Sequence, residues 1–472
     1  MKQIETDYLV IGSGAVGLAF ADTLLDETDA HITIVDKHSK PGGHWNDAYS
    51  FVGLHQPSAF YGVNSLPLGS NQKDTSGLNK GFYELASGPE ISAYFEKVMN
   101  QRLLPSGRVS YFPMSNYVGD GKFVGILSCA ETQVTVRKKI VDATYYGTTV
   151  PSTHTPKFEV KAGARLVTPN QLPQLWQVRH VTPEHFVIVG AGKTAMDAGV
   201  WLLNSGASPY AISWVMPRDS WLVNRAHTQP GFEFFFETIG GQANEMEAIA
   251  NATSVDDLFE RLEACDQMLR IYPDQKPTMF HYATVSHGEA ALLRQIKDVI
   301  RMGHVKTIDT SEMVLDGGRV QVRPNTLFID CSACAVERRP SVPIFQPNQL
   351  VLQMVRMPQP VFSAAVAAYV EAHYDNDDVK NQICATVPFP DSLAGYLPAT
   401  MANMMNQLRW GQDKTLRQWI GSTRLDWSGK VMAKVDPADA EKQAILAKFK
   451  TCAKGAMVNM QRLMANGAAS VG

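Results

Sequence analysis

The stretch Tyr8-Leu9-Val10-Ile11-Gly12-Ser13-Gly14-Ala15-Val16-Gly17 decides how the chain is read. Four apolar residues in a row mark a short strand covered on both faces. They run straight into a GxGxxG loop formed by Gly12, Gly14 and Gly17. An apolar-periodic stretch to Leu25 predicts a helix, residues 32–35 a second strand, and Asp36 closes that strand. Strand, glycine loop, helix, strand and acid are the parts of a dinucleotide-binding unit. Gly12 permits the tight turn, Gly14 lets the backbone approach a pyrophosphate, and Gly17 lets the helix pack on the strand. The helix start at Ala15 and Val16 turns its positive end toward phosphate charge. Asp36, with Lys37 beside it, suits an adenosine ribose.

The pattern recurs downstream. Residues 185–189 form an apolar strand, followed by Gly190-Ala191-Gly192-Lys193-Thr194-Ala195 and a helical stretch through Leu203. This is GxGxxA, with Ala195 at the third glycine position. The next strand, 211–215, ends in Met216-Pro217-Arg218-Asp219. No acid stands there to hold a ribose 2′-hydroxyl. Arg218 suits a 2′-phosphate, so the reading is NADP, with NAD as the alternative. Pairing of Arg218 with Asp219 or Glu184 on the surface is the plainer explanation. Trp221 and Arg225 in the following segment offer an adenine a stacking face and a phosphate a bidentate donor.

Between the units, residues 90–104 show helical periodicity that ends at Pro105, and 108–112, 123–129 and 132–136 read as an antiparallel meander. Residues 139–143 read as a return strand, and 327–333 end much the same way. Residues 240–303 read as mostly helical, with Ser254/Asp257 and Ser286/Glu289 as capping pairs. Residues 312–322 read as a hairpin, 350–355 as a strand and 360–372 as an apolar helix. The remainder is helix and loop, with Trp410, Trp419 and Trp427 either capping the substrate side or packing.

With these parts in place, the chain resembles flavoproteins with two dinucleotide-binding domains, and within them the flavin-containing monooxygenase group. Pro41-Gly42-Gly43-His44-Trp45 is similar to that group's GGxW segment. Residues 141–147 (VDATYYG, with Ala143) and 329–333 (IDCSA) stand where the family crosses between domains. The fingerprint FxGxxxHxxx[YFW] expected before the second glycine motif is not matched by residues 158–163. The resemblance implies an α/β fold with a discontinuous FAD-binding domain (1–150 and 327–375), an inserted NAD(P)-binding domain (151–326) and a helical C-terminal segment (376–472). It implies an FAD-dependent, NADPH-using oxidoreductase, a monooxygenase whose flavin C4a-hydroperoxide oxidises a nitrogen, sulfur or other activated centre of a small molecule, with molecular oxygen as co-substrate. It brings the uncharged loop 51–63 toward the flavin, making His55 and Gln56 candidates to touch flavin or substrate. It also places Gln353 near the flavin, at the approach to the helix 360–372.

The bulk properties limit the alternatives. The chain has 43 basic and 46 acidic residues and a formal net charge of −3, no footprint for nucleic acid or an anionic membrane surface. No apolar run is long enough to predict a spanning helix. Six scattered cysteines fit a reducing compartment and a cytoplasmic protein. No cysteine precedes Cys129, which excludes a CxxxxC redox helix in the first unit. Cys331-Ser332-Ala333-Cys334 reads as the crossover strand end rather than a dithiol, and no clustered ligands suggest a metal. Two other readings stand beside the monooxygenase: a flavin reductase or dehydrogenase without oxygenation, and a non-enzymatic dinucleotide-fold binding module.

Overall fold

The computed structural model describes residues 2–177 and 183–469. The chain is α/β, built on two sheets that repeat one plan. In the first sheet the strands lie in the order Val109–Phe112, Ile32–Val35, Lys2–Ile11, Glu131–Asp142, Lys122–Gly125, Ser115–Gly119, and Gln349–Val351 also pairs with Glu131–Asp142. In the second the order is Asp298–Ile300, Ile212–Val215, His185–Val189, Thr326–Asp330, Arg165–Val167. All pairs in the second sheet are parallel. The apolar ends of the two central strands, Tyr8 to Val10 and Phe186 to Val189, are buried on both faces, whereas the polar first half of Lys2–Ile11 is largely exposed.

Helix Ala15–Glu27 packs with helix Pro360–His373 in the first core, where Leu18, Phe20 and Leu24 meet Phe362, Ala365 and Val366. Helix Pro360–His373 is buried along almost its whole length, as expected of a helix apolar on every side. The C-terminal half divides its loyalties. Helix Ala440–Ala469 joins Gly241–Asn251 and Val255–Ala264 in a separate core with Trp221, Phe259, Phe280 and Tyr396. Trp410 lies in the first core, Trp419 stacks on Tyr369 at 4.4 Å, and Trp427 lies against Phe60 at 5.5 Å. These tryptophans pack.

Several sequence expectations are corrected. Val109–Phe112 is no meander strand; it pairs parallel with Ile32–Val35 and forms the sheet edge. Residues 132–136 and 139–142 belong to one long strand, Glu131–Asp142, which serves the hairpin at one end and the parallel sheet at the other. Strand Thr326–Asp330 belongs to the second sheet, so the chain returns to the first sheet only at Gln349–Val351, and the expected boundary at 327 comes too early. That strand is buried at every position and apolar at its three central ones, so either sheet could have accepted it from sequence. Residues 240–303 contain strands Met268–Leu269, Met279–Val285 and Asp298–Ile300 among their helices.

Candidate active site: two glycine loops

The two units correspond bond by bond. Gly12 donates its N–H to Val35 at 2.8 Å, and Gly190 donates to Val215 at 3.1 Å. Leu18 donates to Gly14 at 3.0 Å, and Met196 to Gly192 at 3.2 Å, so each helix opens on its second glycine. The return strands also match. Ala143 N–H donates to Ile11 at 3.1 Å and Cys331 N–H to Val189 at 2.9 Å. Each return strand ends in an aspartate that accepts from the residue two positions on. Asp142 Oδ1 takes the Thr144 N–H and hydroxyl at 2.8 and 2.6 Å; Asp330 Oδ1 takes the Ser332 N–H and hydroxyl at 3.0 and 2.6 Å. These Asx turns bend the chain away just beside the glycine loops.

The loops differ where helix meets strand. A side chain at Gly17 would overlap the Gly12 carbonyl, whereas the corresponding Ala195 is accommodated and fully buried. At Gly190, φ is +127° and an added Cβ would come within 2.5 Å of the Cys331 carbonyl, so only glycine serves there.

The first loop is folded under a flap. Gly42 donates to the Ser13 carbonyl at 2.8 Å, and a Cβ on Gly14 would sit 3.6 Å from Gly43 Cα. His44 and Trp45 follow, and the Trp45 indole donates to Tyr61 Oη at 2.8 Å, tying the flap to the loop 51–63. Burial pushes the His44 imidazole down to about 4, so it is neutral. Asp36 is buried and fully furnished. Its Oδ2 accepts the Ser13 N–H at 2.5 Å and hydroxyl at 2.9 Å, and its Oδ1 accepts the His38 N–H at 2.7 Å. His38 Nδ1 also lies 2.9 Å from Asp36 Oδ1, and its Nε2 is 2.8 Å from Asp47 Oδ2. Burial opposes the Asp36 charge, but the bonds from His38 and Ser13 outweigh it and hold the carboxyl below its ordinary range. The bond to Asp36 in turn raises the imidazole of His38. Lys37 is exposed and has no ion-pair partner among the described residues.

The second loop is open. Gly192 is exposed and its Cβ position meets nothing within 4 Å. Behind it lies a buried charge network drawn from both units. Lys193 Nζ pairs with Asp197 one turn along the helix and lies 3.9 Å from Glu289. Tyr49 Oη, from the first unit, donates to Asp197 Oδ2 at 2.7 Å. Arg225, 1% exposed, pairs with Glu289 at 2.6 Å and donates through Nε to the His55 carbonyl at 2.9 Å. Burial disfavours the Glu289 charge, yet Lys193 and Arg225 outweigh it and keep the carboxylate ionised. His55 sits between these two cations; burial first, then both positive charges, depress its imidazole well below the ordinary value. It is therefore neutral, and a weak proton acceptor, at the junction of the two units. Gln56 follows it, half-buried.

Arg218 is exposed and has no ion-pair partner among the described residues. Asp219 binds Arg301 instead, through Nε at 2.7 Å and Nη2 at 3.0 Å, and Arg301 lies over the Tyr272 ring. The surface pairing of Arg218 with Asp219 is thus replaced. Trp221 departs from expectation: it is fully buried, stacked on Phe259 at 5.8 Å, and offers no face to an adenine. Arg225 likewise serves the internal network rather than a phosphate. Gln353 is engaged within the chain, its amide bonded to Val342 N–H and carbonyl at 3.2 and 2.8 Å. Cys331 is buried and Cys334 exposed, with burial raising the Cys331 thiol far above its usual value, which makes it a poor thiolate.

Sequence reasoning missed His38, Tyr49, Asp197 and Glu289. Local signals exist for two of them, the Lys193/Asp197 helical spacing and the Ser286/Glu289 cap, but the contacts that join the units, Tyr49 to Asp197 and Glu289 to Arg225, link residues far apart in the chain. It also missed Arg424, whose guanidinium donates to the carbonyls of Ala59, Tyr61 and Val63 at 2.6 to 2.9 Å and so fixes the loop 51–63 to the C-terminal segment.

Comparison with known proteins gives three findings. A family model for an NAD(P)-binding Rossmann-like domain matches residues 10–73. The uncharacterized protein Rv2000 of Mycobacterium tuberculosis (strain H37Rv) and the uncharacterized protein Mb2023 of Mycobacterium bovis are each 46% identical over 448 residues, 95% of this chain and 82% of theirs. Among solved structures, cyclohexanone-bound cyclohexanone monooxygenase in its rotated conformation aligns with TM-score 0.49 at 11% identity, covering 96% of this chain and 99% of that one. A flavin-containing monooxygenase from Stenotrophomonas maltophilia aligns with TM-score 0.44 at 13% identity, covering 79% and 98%.

Proposed function

This chain belongs to the family of those uncharacterized mycobacterial proteins, and we propose that it is an FAD-dependent, NADPH-using oxidoreductase acting as a monooxygenase on a small molecule. The observation that carries the reading is the duplicated unit itself: two glycine loops, matched hydrogen bond for hydrogen bond, that differ where nucleotides are told apart. Asp36 ends the second strand of the first unit; Met216, followed by Arg218, ends that of the second.

The residues present fit these groups. The start of helix Ala15–Glu27, Gly12 and Gly14, and the Gly42-Gly43 flap would hold the FAD pyrophosphate, with Asp36 receiving ribose hydroxyls in exchange for the Ser13 hydroxyl. The mouth at Gly192 and the start of helix Lys193–Asn204 would take the NADPH pyrophosphate, with Arg218 on the 2′-phosphate. Bound flavin supplies hydride acceptance and oxygen activation, which is the cofactor's own chemistry. The protein's share is placement. Arg225 and Arg424 hold the loop 51–63 in place, and His55, kept neutral by burial and two cations, would offer a hydrogen bond without taking up a proton. The Tyr49–Asp197 bond ties the first unit to the helix of the second.

A pair of variants tests the assignment. Gly192→Val fills open space without touching the fold, so it should keep bound flavin and lose NADPH-dependent reduction. Gly14→Val should lose the flavin itself. The reverse pattern, or flavin and NADPH binding untouched by either change, overturns the reading.

A further inference from the structure

A groove on the C-terminal segment has no part in the two dinucleotide units. It runs between helix Lys414–Ser422 and helix Trp427–Ala433 and measures about 480 Å³, a volume typical of small-molecule sites. Each helix lines it with one stripe at i, i+3, i+4 spacing. Arg417, Ile420 and Gly421 come from the first, and Lys430, Ala433 and the C-cap Lys434 from the second. The groove is held open by what lies behind it. Leu416 and Val431 are buried and seat the two helices. The turn between them is pinned to the first unit, where the Thr423 hydroxyl and the Arg424 N–H donate to Asn64 Oδ1 at 2.5 and 3.1 Å.

Its charge is one-sided. The single acid in the lining, Asp426, is buried and already neutralised, its Oδ1 accepting from Arg356 Nη1 at 2.8 Å. Arg417, Lys430 and Lys434 have no carboxylate within ion-pair distance among the described residues, and the Arg417 guanidinium reaches only the Gly411 carbonyl at 3.2 Å. Lys430 is half-buried, where an ammonium without a counter-ion is costlier than at the open surface. The whole chain carries a formal net charge of −3, so three uncompensated cations around one groove are a local feature. Glycines make the room. A side chain at Gly429 would overlap Asp426 Oδ2, and one at Gly421 would stand in open space, with nothing within 4 Å of its Cβ.

We propose that this groove binds a small amphipathic phosphate ester, its dianionic head held by Arg417, Lys430 and Lys434 and its hydrocarbon laid along Ile420, Ala433 and the lysine stems. Three cations exceed what one carboxylate neutralises, and a guanidinium with two ammonium groups matches the several oxygens of a phosphate monoester. The methylene stems of the lysines supply apolar surface beside their charges, so head and tail are served by the same side chains. The groove is concave and lies between two short helices, which suits one soluble molecule. The site stands without the oxidoreductase reading and adds a ligand to it.

Calorimetric titration of the purified full chain with monomeric octyl phosphate, octanol and inorganic phosphate tests the site without any need for flavin reduction. Wild type should bind octyl phosphate at least about 10-fold more tightly than octanol, the difference charge-assisted hydrogen bonds make, and more tightly than inorganic phosphate. The double variant Lys430→Gln/Lys434→Gln changes only side chains without ion-pair partners and should lose the preference over octanol. Gly421→Leu fills the groove and should weaken octyl phosphate about 10-fold or more while leaving inorganic phosphate nearly unchanged. Melting temperature confirms the fold of each. Equal binding of octyl phosphate and octanol by wild type overturns the site, as does an undiminished preference in the folded double variant. Inorganic phosphate bound as tightly as octyl phosphate overturns the amphipathic ligand.

Discussion

Met216 occupies in the second unit the position Asp36 occupies in the first. Each donates its backbone N–H to the last residue of the adjoining edge strand, Met216 to Ile300 at 3.0 Å and Asp36 to Phe112 at 3.1 Å. Around Asp36 the carboxylate gathers Ser13 and His38; around Met216 the side chain is apolar and buried, and Ala191 replaces Ser13. Met216 therefore provides no side-chain acceptor at this point, and Arg218, two residues on, is exposed and without an ion-pair partner among the described residues.

In the proposed assignment, this relationship sets the nucleotide preference. Arg218→Gln should weaken NADPH by about 10- to 100-fold, the worth of a charge-assisted hydrogen bond, and leave NADH nearly unchanged. Initial rates with both nucleotides measure it. A uniform loss for both would show that Arg218 does not read the 2′-phosphate.

The Asp36–His38–Asp47 bridge makes stability depend on pH. The raised affinity of His38 for its proton adds stability that is fully present below the ordinary imidazole value, near pH 6.5, and is lost as pH rises through the raised one. Asp36 acts oppositely: its depressed carboxyl adds stability above the ordinary carboxylate range, lost as pH falls through the depressed value. In melting scans, the deficit of His38→Gln relative to wild type should be widest at about pH 5–6 and shrink above neutrality. A deficit that does not vary with pH would mean the imidazole acts by packing alone.

Breaking the junction network should be costly. Glu289→Ala leaves Arg225 and Lys193 buried with one carboxylate between them, and removing one partner of a buried pair costs about 3–5 kcal/mol. Arg225→Ala should cost a similar amount and also free the His55 carbonyl. Melting temperatures of both variants and the double variant check this; the double change should cost less than the sum, since the partners are lost together.

Much of the architecture was legible in the sequence because it is local. Gly12 to Gly17, Asp36, Gly190 to Ala195 and the apolar strands before them carry their own signals. What escaped depends on distant pairing. Tyr49, Asp197, Glu289 and Arg225 come from separate segments and meet only once the loop 51–63 crosses to the second unit. Val109–Phe112 alternates like a hairpin strand, but the sheet edge left open beside Ile32–Val35 takes it in parallel. Trp221 reads as a surface aromatic beside arginines, yet Phe259 and the C-terminal helices cover it.

The most direct test is the visible absorbance spectrum of the purified chain under anaerobic conditions, before and after NADPH, with NADH in parallel. The account predicts a bound-flavin spectrum that bleaches with NADPH, and more slowly or only at higher concentration with NADH. A chain that binds no flavin even after reconstitution with FAD would contradict it.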